Sequence, residues 1–222
     1  MITIQNLTKI FHSKQSEVLA LNKVNLHIQK GEFVLIKGAS GCGKSTLLFT
    51  LGGMLKPSMG TVCVDGQNLY QLSEKEQQQY RARKIGFVYQ SYHLIPYLTI
   101  LENILLVNHT TGVVTTREEV VDMARTFHLE DRLNHKPSEL SVGEKQRAAL
   151  MRALIVKPQI LIADEPTGNL DPANSAIIMQ HFKTFQQQGG TVIMASHGSE
   201  ADELATVKIA MKEGEIINKP IE

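Results

Sequence analysis

Apolar positions in the first thirty residues fall mostly on alternate sites. Leu21, Val24, Leu26 and Ile28 mark a period of two, with one slip near Asn22–Val24. That alternation predicts an antiparallel strand with one covered face. Phe33–Ile36 is a continuous apolar run, as expected of a strand covered on both faces, and it stops at a glycine-rich turn. A helix is expected from about Lys44 to the Gly52–Gly53 pair. Two further runs behave alike: Ile160–Ala163 ends at Asp164–Glu165, and Thr191–Ala195 ends at Ser196–His197. Open parallel sheets hold ligands beyond the carboxyl ends of their strands, so three strands ending in polar residues point to one site. Asp171–Pro172 reads as the N-cap and first residue of a helix that closes before Gly189–Gly190. Between about Ser91 and Lys157 strand-like runs vanish, and Glu118–Leu133 shows helical spacing. The pattern predicts an α/β core (1–90 and 158–222) with a helical subdomain inserted at 91–157, all in one domain.

Composition narrows the function. A chain of 222 residues with 42% hydrophobic content can bury a large core. A formal net charge of +1 argues against a nucleic-acid binder that relies on bulk charge. Cys42 and Cys63 lie in different segments and form no metal-binding pattern, which suits a reducing cytosol. The first residues lack a signal-peptide core, and no apolar run approaches the ~18–20 residues of a membrane span. A soluble protein is expected, whose membrane role would need a partner chain.

The strongest chemical signal is Gly38-Ala39-Ser40-Gly41-Cys42-Gly43-Lys44-Ser45-Thr46, a G-x-x-x-x-G-K-[ST] phosphate loop between a strand and a helix. Glycines let backbone N–H groups curl around phosphate oxygens, and the helix N-terminus adds a favourable dipole. Lys44 is expected to reach the β- and γ-phosphates, and Ser45 to ligate Mg²⁺. Asp164, at the end of its strand, would also hold Mg²⁺, and Glu165 would act as general base on the attacking water. His197, ending the third strand, could donate to the γ-phosphate or the water. A second segment, Leu140–Arg147, reads as a capping box in which Ser141 caps a helix and Glu144 reaches back.

The phosphate loop, "LSVGEKQR", "ILIADEPTGNLD" and "ASH" stand in the order found in ABC transporter nucleotide-binding subunits, and the whole chain resembles that family. "DEPTGNLD" further resembles the lipoprotein-releasing and macrolide-export subgroup. The resemblance implies a phosphate-loop ABC ATPase core with an antiparallel β subdomain and a helical subdomain, binding ATP and Mg²⁺. It implies that Gln90 touches the metal and senses the membrane partner. It places Phe11 on the adenine and Asp171 at a dimer interface. It also implies a head-to-tail pair in which Ser141 and the Gly143 N–H contact the phosphate bound by the other copy. So the capping box and the signature segment would be one piece of structure. Val142 stands where the family commonly has glycine; a β-branched residue resists φ > 0, so ordinary backbone is expected there. Glu144 replaces a frequent glutamine. The partners implied are a second copy and a separate permease on the cytoplasmic face of the membrane, docked near Ser91–Ile104, whose Tyr92, Leu94 and Tyr97 are apolar for a loop. The alternative is a soluble ABC ATPase acting on nucleic acid or ribosomes. A kinase or GTPase fits poorly, since the guanine-reading N/T-K-x-D motif is absent.

Overall fold

The computed structural model describes residues 1–12, 16–110, 112 and 114–217. In chain order the elements are β1 (Ile2–His12), β2 (Glu17–Ile28), β3 (Phe33–Lys37), α1 (Lys44–Leu51), β4 (Met59–Val64), β5 (Gln67–Asn68) and α2 (Glu74–Lys84). They continue with β6 (Ile85–Val88), α3 (Ile100–Leu105), α4 (Val107–Thr110), α5 (Arg117–Thr126), α6 (Val142–Leu154), β7 (Ile160–Asp164), α7 (Pro172–Gln187), β8 (Thr191–Ala195), β9 (Val207–Lys212) and β10 (Glu215–Ile217). Every regular element between β6 and β7 is helical.

Two sheets form. The smaller is antiparallel, in the order β2-β1-β4-β5. Its slip near Asn22–Val24 is a bulge: the register shifts between Leu7 and Lys9, and Lys23 turns to φ 46°. The extra residue lets Leu21 and Val24, three apart, both face the core. The larger sheet runs β10-β9-β3-β8-β7-β6, parallel except for the β10 edge. Alternate residues of β3 enter different cores. Val34 and Ile36 meet Leu47, Leu48 and Leu51 of α1 and the inner face of the small sheet. Phe33 and Leu35 share the other face with residues from α3, α5, α6 and α7, among them Ile104, Val120, Leu150 and Phe182. The helices at 100–154 therefore share a core with the sheet. No helix among the described residues is long and apolar enough to cross a membrane.

The helical spacing of Glu118–Leu133 is not one helix. α5 ends at Thr126 and closes with a left-handed turn at His128 (φ 52°). The Leu129 N–H donates to the Ala124 carbonyl and the His128 N–H to Arg125, the bond pair of a Schellman motif. Leu129 and Leu133 thereby still reach the core.

The sheet order sets the site. β8 lies between β3 and β7, and both Ile36 and Asp164 are in register with Ala195. Gly38, Glu165 and His197 therefore leave the sheet within about one rung of each other. Val88 pairs with Ala163, so Gln90 emerges on the far side of β7 from His197.

Candidate functional site: a phosphate loop at the strand ends

The loop is held open from behind. Gly43 caps α1 with φ 105° and supplies no side-chain hydrogen bond, which leaves the first N–H groups of the helix free to meet an anion. A Cβ at Gly43 would overlap the Ala20 carbonyl, and one at Gly38 the Met211 carbonyl and the Cys42 sulfur. The loop is thus wedged between β2 and the β9–β10 turn. There the Gly214 N–H donates to the Cys42 carbonyl (3.0 Å) and the Asn22 N–H to the Gly214 carbonyl (2.9 Å). The Cys42 side chain is buried in the core, so only its backbone belongs to the cradle. Ala39, Ser40, Gly41 and Ser45 are exposed, and Thr46 is half-buried.

Lys44 is buried, and its Nζ donates to the carbonyls of Gly38 (2.8 Å) and Ala39 (3.2 Å). The same ammonium lies 3.0 Å from His197 Nε2 and 4.0 Å from Glu165 Oε1. Glu165 sits in the left-handed region (φ 49°), a conformation that costs a non-glycine residue ~1–2 kcal/mol. Its Oε2 accepts the His197 N–H (3.1 Å), and its Oε1 lies 3.2 Å from His197 Nε2 without hydrogen-bond geometry. Ser40, Gly41, Gly43, Lys44, Ser45, Thr46, Gln90, Asp164, Glu165 and His197 line one cleft. Asp164 is 8% exposed, and its Oδ1 makes no hydrogen bond among the described residues. A buried anionic oxygen without a partner, with the Ser45 hydroxyl and the Gln90 amide in the same cleft, fits a hard divalent cation such as Mg²⁺.

Phe11 is 42% exposed on β1, directly opposite Val18 of β2, with Lys9 Nζ 5.2 Å from its ring centroid. Val18, Leu19 and Ala20 line the cleft, as do Gly168, Glu213 and Gly214. Gly168 belongs to the segment that follows Glu165, but the others carry no local motif. They reach the loop through the pairing of β2 and the β9–β10 hairpin, for which the Glu213–Gly214 turn is the sequence signal.

Ser141 and Gly143 are not in this cleft. They begin α6, with Ser141 and Val142 exposed. Val142 is the first helical residue, with no positive φ. The capping box is formed: Ser141 Oγ accepts the Glu144 N–H (3.2 Å), and Glu144 Oε2 accepts the Ser141 N–H (2.8 Å). Glu144 Oε1 also takes a bond from Arg132 Nε (2.8 Å). Chiefly through the Ser141 N–H, and with help from Arg132, the Glu144 carboxyl is held down to about 2. Its folded value is depressed, so this clamp is complete above the ordinary carboxylate value of ~4.5 and is lost as pH falls towards about 2. Discounted for solvent screening, it contributes ~1 kcal/mol or less. Melting temperatures of wild type and Glu144→Gln should differ by a constant amount above pH ~5 and converge below it. A difference independent of pH would show that the carboxylate charge is not what clamps the turn.

At the other end of α6, Arg152 donates from Nη1 to the His93 carbonyl (2.6 Å) and from Nη2 to the Tyr92 carbonyl (2.8 Å). Tyr92 and His93 are both in left-handed conformations. Just beyond, buried Asn103 ties the loop together. It accepts the Ile95 N–H and donates to the carbonyls of Ile95, Leu98 and Thr99. That knot presents Tyr97 at 72% exposure, while Tyr92 and Leu94 are half-buried.

A glycine loop closed by a lysine, two acidic residues and a histidine on adjoining parallel strands defines a phosphate-loop nucleotide hydrolase. The family model described as "ABC transporter" matches residues 21–168, and the chain belongs to that family, as the ATPase subunit of a transporter. It is 39% identical to the lipoprotein-releasing system ATP-binding protein LolD of Buchnera aphidicola, over 96% of this chain and 94% of that protein. It is 40% identical to the macrolide export ATP-binding/permease protein MacB of Chlorobium phaeobacteroides, over 98% of this chain but only 33% of that longer protein. Among solved structures, the ATP-binding cassette MJ0796, a dimer in a post-hydrolysis state bound to ADP and Pi, superposes with a TM-score of 0.91. It shares 37% identity over 97% of this chain and 96% of that one.

Proposed function

We propose that this ATPase works as a head-to-tail dimer, each cleft completed by the Ser141–Gly143 turn of the other copy, and that it drives a separate permease of the export or lipoprotein-releasing type. The observation that carries the proposal is the separation of Ser141 from the chain's own cleft while its capped, exposed turn stays free at the surface. The dimeric relative and the printed functions of LolD and MacB support it.

In this reading Lys44 exchanges its bonds to Gly38, Ala39 and His197 for the β- and γ-phosphate oxygens, and the N–H groups of residues 41–46 wrap the β-phosphate. Ser45, Gln90 and Asp164 would hold Mg²⁺, which would neutralise phosphate charge when bound. Glu165 accepts the proton of the attacking water, and His197 keeps its carboxylate facing that water. The exposed ring of Phe11 offers a face for adenine. Gln90, which lines the cleft and opens the segment at 91–157, would link the nucleotide to the surface offered to the permease.

Tyr97 is the anchor this reading assigns to the permease. Tyr97→Ala should leave ATP affinity intact and weaken co-purification with a co-expressed permease by ~30-fold, the effect of a ~2 kcal/mol hot spot. Unchanged co-purification would move the docking surface elsewhere. A wild-type chain that retains no permease would favour an ABC ATPase that works without one.

A further inference from the structure

Among the described residues, the α-helices α2, α3, α5 and α6 begin with a capping box whose third residue is glutamate turned back on its own N-cap. α7 begins differently. Its N-cap is Asp171 and its third residue is Asn174, whose side chain bonds the Asp171 carboxylate and also reaches α6. Asp171 Oδ1 accepts the Asn174 N–H (2.9 Å), and Asp171 Oδ2 accepts Asn174 Nδ2 (2.6 Å). These two bonds hold the Asp171 carboxyl below its ordinary value. Asn174 Oδ1 then accepts Arg147 Nη1 (2.8 Å) from α6. The amide also fills the space beside Gly143: a Cβ there would overlap the Asn174 side chain. Gly143 and Arg147 are four residues apart, on one face of α6, so Asn174 is gripped by two successive turns.

The rest of the seam is polar and only partly paired. Gln146 Nε2, Arg147 Nε and Ser175 Oγ are buried without hydrogen bonds among the described residues. Beside the apolar cluster shared by Leu140, Ala148 and Ile178, the chain Arg147–Asn174–Asp171 ties the start of α7 to the first turns of α6. We propose that Asn174 is a positioning residue, which clamps the Ser141–Gly143 turn to the Asp171 cap within one subunit so that both present to the partner copy as one body, and that position 143 is glycine because Asn174 occupies the space of its side chain. This rests on the trans-site reading above, in which that turn meets the partner's phosphate.

Four variants test it in the Glu165→Gln background, where ATP should trap the dimer. Asn174→Ala removes both charge-assisted hydrogen bonds of the side chain, to Arg147 and to Asp171, and should raise the protein concentration needed for ATP-driven dimerisation by at least about ten-fold, with nucleotide affinity of the monomer changed less than ~2-fold. Asn174→Asp keeps the volume but sets a carboxylate against Asp171, so it should be as defective as alanine; a residue that merely packs would tolerate it. Gly143→Ala should impair dimerisation, and adding Asn174→Ala should restore part of it, because the second change removes the clash. An Asn174→Ala protein that dimerises like its parent, an Asn174→Asp protein that does so, or a double variant no better than Gly143→Ala would each overturn the clamp. Ser141→Arg separates the two layers. If it also fails to block dimerisation, the trans-site reading falls; if it blocks while the Asn174 variants behave as wild type, only the clamp falls. Monomer nucleotide binding reports folding in every case.

Discussion

Glu165→Gln should bind ATP as the wild type does and hydrolyse it ~10²- to 10⁴-fold more slowly, the range for losing a general base. The amide fits the same space. Its oxygen can keep the His197 N–H bond that Glu165 Oε2 accepts, and its NH₂ can face His197 Nε2, which stands 3.2 Å from Oε1. What it cannot do is take a proton. Binding energy that hydrolysis normally discharges should then accumulate as a closed dimer, visible by gel filtration with ATP and Mg²⁺. A variant that stays monomeric, or turns over at the wild-type rate, would remove Glu165 from the role of base.

Lys44→Ala should abolish turnover, because its buried ammonium is drawn up to the loop carbonyls and the Glu165–His197 pair. Ser141→Arg should abolish turnover by another route. It lies on the exposed first turn of α6, so monomeric nucleotide binding should survive, while in the proposed dimer the added guanidinium would fill the partner's phosphate site. Mixing the two inactive proteins is the stronger experiment. In a head-to-tail dimer one site then carries both defects and the other carries neither. An equal mixture should recover about a quarter of the wild-type rate, half of the dimers having one intact site of two. Mixed dimers that form and remain inactive at every ratio would rule out shared sites.

The parts legible in the sequence are those set by local pattern. Phe33–Ile36, Ile160–Ala163 and Thr191–Ala195 are apolar throughout because both faces of their sheet are covered, and they are strands of the structure, side by side. The Ser141 and Asp171 caps follow from residue type and spacing, and both are formed. α2 was not legible, since it buries no residue and has no apolar stripe to mark it. The break at His128 was hidden because a histidine, and no glycine, takes the left-handed position. Within the site, Lys44, Asp164, Glu165 and His197 could be named from motifs. The Ala20 and Met211 carbonyls that shape the loop, and the Arg147–Asn174 bond, join residues far apart in sequence, and no local spacing encodes them.

The grip of Arg152 on Tyr92 and His93 has a thermodynamic consequence. α6 has 13 residues, so its ends lie roughly 20 Å apart, one fastened to the segment after Gln90 and the other carrying Ser141. A hydrogen-bonded helix transmits displacement along its axis far more readily than it shortens. If α6 moves as one body, a ligand that prefers one setting of the Tyr92–Tyr97 loop biases the setting of Ser141, and the bias is mutual. If a permease bound near Tyr97 tightens ATP-driven dimerisation by some factor, ATP must tighten permease binding by the same factor. Replacing Arg152 with a residue that cannot reach both carbonyls should shrink the two effects together, leaving two working sites that no longer exchange free energy.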